Sequence, residues 1–77
     1  MTLYEFKLLD KEKQYEVTFK KGTFIDYHLE IKRRFALYAV DRFFVEVEYD
    51  PENNSMENLK SFIEGPLLDK YINFKGY

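Results

Sequence analysis

The chain has no cysteine, no tryptophan, one histidine, two prolines and three glycines in 77 residues. Without cysteine there is no disulfide framework, zinc ribbon, thioredoxin-type redox pair or thiol nucleophile. A single imidazole means that any histidine base or histidine metal ligand has to be His28. Neither sign of charge dominates. Twelve basic residues against fourteen acidic ones give a formal charge of −2, so broad attraction to nucleic acid or anionic lipid is not expected. Long apolar runs are missing too. The longest, residues 35–40, falls far short of the roughly 20 residues that a membrane-spanning helix needs. Residues 1–7 carry charges too closely spaced for a signal-peptide core, so a soluble cytoplasmic chain is expected. Asn53-Asn54-Ser55 spells a glycosylation sequon, which has little meaning without an export signal. No repeat or linker divides the chain, and residues 1–77 read as a single domain.

What the chain does have is aromatic residues, seven Tyr and eight Phe. A hydrophobic fraction of 45% beside 34% charged residues describes a globular chain rather than a disordered one. At this length only about 60% of the unfolded surface is buried on folding, so the layers must be used economically.

The expected fold is α+β. Thr2 and Glu5 have capping-box spacing, with Leu3, Phe6 and Leu9 along one side of a short helix. Asp10 offers a second N-cap, Lys20 and Lys21 a basic last turn, and Gly22 a left-handed C-cap. Leu8, Tyr15 and Phe19 form the apolar stripe between them. The alternation of Tyr15, Val17 and Phe19 supports the alternative, a mostly-β chain with an N-terminal hairpin, but the punctuation at both ends favours helix. From Thr23 onward the period is two, predicting four strands over residues 23–31, 35–40, 43–49 and 56–63. Gly65-Pro66 then introduces a short C-terminal helix with Leu67, Leu68, Tyr71 and Ile72.

Loop lengths predict the register. A two-residue loop at Lys32-Arg33 sets Tyr27 opposite Tyr38 and Leu29 opposite Ala36. A second at Asp41-Arg42 sets Val40 opposite Phe43 and Tyr38 opposite Val45. A five-residue loop over residues 51–55 sets Val47 opposite Leu59, Glu46 opposite Lys60 and Phe44 opposite Phe62, and it satisfies both faces where a four-residue loop does not. The result is a four-stranded antiparallel meander with Tyr27, Tyr38, Phe43 and Tyr49 on its apolar face.

The opposite face carries the candidate binding residues: Phe35, Leu37, Phe44 and Phe62, with Glu46 and Lys60 among them and Glu48 at the rim. Such a patch marks either the seat of the C-terminal helix or a protein-binding surface. His28 shares this face with Asp26, Glu30 and Glu46, but neighbours on one strand lie about 7 Å apart, too far for easy shared ligation. A solvated sheet histidine is the default. Ser55 and Ser61 complete no catalytic triad. Asp50, Glu52 and Asn54 mimic the start of a calcium loop, yet Ser55 and Ser61 stand where Gly and Glu are required. Glu46 and Glu48 share a face without implying a cleft. Lys32-Arg33-Arg34, with Lys20 and Lys21 nearby, forms a basic turn without a phosphate-binding motif and flanks the aggregation-prone residues 35–40.

The run Leu37-Tyr38-Ala39-Val40-Asp41-Arg42-Phe43-Phe44-Val45-Glu46-Val47-Glu48-Tyr49-Asp50, with Asn53-Asn54 and Leu67-Leu68-Asp69-Lys70-Tyr71, resembles a group of small uncharacterised bacterial proteins. Leu3, Glu5-Phe6, Gln14 and Gly22 are similar to that group's N-terminal pattern of helix then strand. The resemblance implies a helix-plus-meander fold and no activity, since its motifs are strand patterns. The expected function is a non-enzymatic interaction module with no cofactor and no metal, binding a protein partner or a second copy through the aromatic face or an edge strand. Edges are expected at residues 23–31 and 57–64. The alternative is a small hydrolase or ligand-binding domain using His28 and nearby carboxylates. Nucleic-acid binding ranks below both.

Overall fold

The computed structural model describes residues 1–63, and the expected C-terminal helix lies outside the described residues. Two helices, α1 (Leu3–Lys7) and α2 (Lys11–Lys21), precede four strands, β1 (Thr23–Leu29), β2 (Arg34–Val40), β3 (Phe43–Tyr49) and β4 (Met56–Phe62). The strands form one antiparallel sheet in the order β1-β2-β3-β4. The fold is α+β, a helical N-terminal layer on a meander. Among the described residues no helix is long and apolar enough to cross a membrane.

Each helix starts where its cap dictates. The Thr2 hydroxyl accepts from the Glu5 N–H, and the Glu5 carboxylate accepts from the Thr2 N–H, closing the capping box. Asp10 accepts from the Lys13 N–H at the head of α2. Of the expected stripe only Tyr15 packs against the core. Leu8 and Phe19 are exposed, while Thr18 is fully buried and its hydroxyl donates to the Gln14 carbonyl. Gln14 in turn donates from Nε2 to the Phe6 carbonyl, tying α2 to α1. Polar groups sit on this contact because each has a partner in place.

Gly22 ends α2, but with φ −77° and ψ 151° it is extended rather than left-handed. Its need for glycine is steric. A Cβ there would stand 2.3 Å from the Thr18 carbonyl oxygen and 3.3 Å from Val40 Cγ2.

Two of the three expected registers hold. β2 and β3 pair Val40 with Phe43, Tyr38 with Val45 and Ala36 with Val47. The turn between them needs a positive φ, which Asp41 supplies at 51°. β3 and β4 pair Val47 with Leu59, Glu46 with Lys60 and Phe44 with Phe62, and a register shift beside Glu48 absorbs the end of the ladder. Asn54 takes the left-handed position of this loop at φ 62°. The first hairpin differs by two residues. Tyr27 lies opposite Ala36 and Leu29 opposite Arg34, because the chain turns at Ile31 and Lys32, closed by a Glu30 N–H to Arg33 carbonyl bond. A shift of two keeps Tyr27 and Leu29 on their expected face. A bulge between Phe24 and Asp26 then brings Phe24, not Ile25, opposite Tyr38.

The core lies between helices and sheet. Phe6, Val40, Phe43, Val45, Val47 and Leu59 form its buried centre, with Leu3, Leu9, Tyr15, Val17, Tyr38 and Tyr49 packed around it. Phe6 and Phe43 are in tilted ring contact at 5.2 Å. α1 packs toward β4 and α2 toward β2.

Candidate functional site

The helices do not reach the whole of the face they cover. They are 5 and 11 residues long, about 8 and 16 Å, whereas each seven-residue strand runs about 23 Å. The uncovered corner lies at the β1–β2 end. One row across the sheet there reads Leu29, Arg34, Tyr49, and the next reads Tyr27, Ala36, Val47. Tyr27 is 59% and Leu29 68% exposed, although Ala36 and Val47 in the row of Tyr27 are buried. A shallow groove opens there. Its volume is about 600 Å³, and Tyr27, Leu29, Arg34, Tyr38, Tyr49 and Asn54 line it.

Four phenols converge at this corner. Burial pushes the Tyr49 hydroxyl up to about 12, helped by Tyr38 through charge and hydrogen bonding, and then by Tyr27 and Tyr15. Burial likewise raises Tyr15, with the Glu57 carboxylate adding to it. The Phe24 ring packs on Tyr27 at 4.6 Å and edge-on to Tyr38 at 5.8 Å, while Phe19 meets Tyr38 at 5.5 Å. Aromatic faces and neutral hydroxyls are present, and the shifted phenols move away from the range of a base working near neutrality. Beyond Tyr49 a second depression of about 510 Å³ carries Glu48, Asp50, Glu52 and Glu57 beside Lys32.

The residues singled out from the sequence lie on the other face. Phe35, Leu37 and Glu46 are 6%, 0% and 3% exposed and have almost no surface to give a partner. Phe44 and Phe62 are half-buried and stack at 6.0 Å, and Lys60 is exposed opposite Glu46. His28 is tied to Glu30, Nε2 to Oε2 at 3.0 Å. The separation expected along the strand is closed because Glu30 has already left β1 for the turn. The His28 ring also faces Phe35 at 5.9 Å. Among the described residues no three His, Asp or Glu side chains gather as a metal site.

Among the described residues both edges of the sheet, β1 and β4, are blunted in the same two ways. Each edge strand carries a register irregularity, beside Ile25 in β1 and beside Glu57 in β4. In each, a short side chain also takes the next backbone N–H, Asp26 that of Tyr27 and Asn58 that of Leu59. Bulges and occupied edge donors are devices that oppose strand addition.

The alternation placed Tyr27, Tyr38 and Tyr49 in the core; Tyr38 and Tyr49 pack half-buried against it, whereas Tyr27 is exposed. No family model matches the chain, and no curated protein or solved structure matches it.

Proposed function

We propose that the chain is a non-enzymatic interaction module of the bacterial cytoplasm, binding a protein partner through the tyrosine-lined groove. The observation that carries the reading is the exposure of Tyr27 and Leu29 beside Tyr38 and Tyr49 on an apolar sheet face. Large side chains left uncovered next to a core, with polar tips and little entropy to lose, suit a contact surface. A partner is favoured over self-pairing because both sheet edges are blunted. The contact moves away from the Phe44, Phe62 and Lys60 face because the centre of that face, Leu37, is already buried. A formal charge of −2 supports a protein rather than a nucleic acid or a lipid surface as the target.

The test compares quantitative affinity capture by the unaltered chain, by Tyr27→Ser/Leu29→Ser and by Lys60→Ser. The proposal expects a defined set of proteins lost with the groove variant and retained with Lys60→Ser. Equal capture by all three overturns it.

A further inference from the structure

Among the described residues that line the groove there is no carboxylate and one cation, Arg34. Arg34 opens β2, with Leu29 and Tyr49 as its cross-strand neighbours. Its guanidinium forms no ion pair among the described residues. A solvated surface arginine is common, but this one stands among phenols. Arginine can only donate, while a protonated tyrosine hydroxyl and an asparagine amide can donate beside it. The hydrogen bond with Tyr38 that helps raise Tyr49 engages the Tyr49 proton, so the Tyr38 hydroxyl and the Asn54 amide are the donors left beside Arg34. A planar fork flanked by such donors matches a carboxylate. Leu29 and the tyrosine rings supply the apolar surface next to it.

We infer that the groove receives an extended segment of a partner protein that carries an acidic side chain beside apolar ones, its carboxylate seated on Arg34. The inference rests on the groove being the contact surface, as proposed above. The blunted β1 edge opposes strand addition, which favours recognition through side chains. The acidic depression beyond Tyr49 repels the ligand's carboxylate and so fixes which end of the segment lies at Arg34.

The probe is a random heptapeptide library displayed from its C-termini, so that only side-chain carboxylates are offered. It is selected against the immobilised full chain, and enriched peptides are then measured on Arg34→Gln, Tyr27→Ser and Lys60→Ser. The expected result is enrichment of peptides with Asp or Glu next to apolar residues. Their affinity falls roughly 10- to 100-fold on Arg34→Gln, and equally when their own acid is changed to its amide, the range for loss of a charge-assisted hydrogen bond. Lys60→Ser leaves them unchanged. Loss of binding on Tyr27→Ser but not on Arg34→Gln keeps the groove and overturns the carboxylate. Indifference to both variants, enrichment of basic peptides or no enrichment also overturns the inference, and the capture comparison above decides separately whether the groove is a contact surface. Circular dichroism of Arg34→Gln, an exposed position, verifies that the fold is intact.

Discussion

The Asp26 carboxylate accepts a hydrogen bond from the Tyr27 N–H at 2.8 Å, on β1, an edge strand of the described sheet. Antiparallel ladders alternate bonded and unbonded pairs. The Glu30–Arg33 bond therefore turns the Tyr27 backbone away from β2 and toward solvent. Asn58 holds the Leu59 N–H at 2.9 Å on the opposite edge. A strand partner would have to displace these side chains, each bond contributing about 1 kcal/mol. Asp26→Ala/Asn58→Ala is expected to self-associate at concentrations on the order of tenfold lower than the unaltered chain. Sedimentation velocity over a dilution series measures it, and a variant that stays monomeric throughout contradicts the role given to these bonds.

The raised Tyr49 hydroxyl predicts a contribution to the loss of stability at alkaline pH. Tyr49 is raised in the folded chain to about 12 from 10.0. A raised group contributes stability that is present in full below its unfolded value. That stability is lost as pH climbs through the folded one, because the unfolded chain releases its proton first. Thermal melts should therefore decline between about pH 10 and 12. Tyr49→Phe should flatten that decline, and phenolate absorbance should show one tyrosine titrating late.

Much of this architecture could be read from residues alone, and the failures share a cause. The β2–β3 and β3–β4 registers were legible because pairs on both faces constrain them, as with Val47–Leu59 and Glu46–Lys60. The first hairpin had one apolar face to read and a turn at Ile31-Lys32 without turn-forming residues, so a slip of two satisfied the pattern equally. In α2 the buried position belongs to Thr18, whose hydroxyl is satisfied by the Gln14 carbonyl, a bond that periodicity cannot reveal. The groove was missed for a geometric reason. Alternation says which face a tyrosine occupies, but not whether a helix of 11 residues extends far enough to cover it.

Gly22 offers a direct check on the junction between α2 and β1. Its backbone angles suit any residue, so conformational freedom is not what glycine provides there. A Cβ would press on the Thr18 carbonyl and the Val40 side chain. Gly22→Ala is expected to destabilise the chain by about 1–3 kcal/mol in urea titration, the usual cost of overpacking. A stabilised variant, the outcome when glycine is merely a flexible spacer, contradicts the contact.

Two depressed carboxyls anchor the N-terminus. Backbone and side-chain hydrogen bonds from Thr2 hold Glu5 below its ordinary value, and the N-terminal ammonium does the same for Asp41 at 2.6 Å. Depressed groups contribute stability above their unfolded values and lose it as pH falls through the folded ones. Acid below about pH 4 should therefore loosen α1 first. Acetylating the terminus removes the Asp41 partner and should shift the Asp41 titration, followed by NMR, back toward the ordinary range while leaving Glu5 depressed.

Apolar residues of the core and of the groove should separate in their energetics. Phe43 is 2% exposed and in contact with Phe6, so Phe43→Ala leaves a cavity and is expected to cost about 3–5 kcal/mol. That approaches the whole stability of a domain this size, and the variant should be largely unfolded at 37 °C. Leu29 and Tyr27 stand mostly in water. Leu29→Ser and Tyr27→Ser should each cost under about 1 kcal/mol, the latter through its Phe24 contact. Parallel urea titrations make the comparison. If the groove variants cost as much as Phe43→Ala, these side chains belong to the core. If they cost little, the fold does not depend on these two side chains.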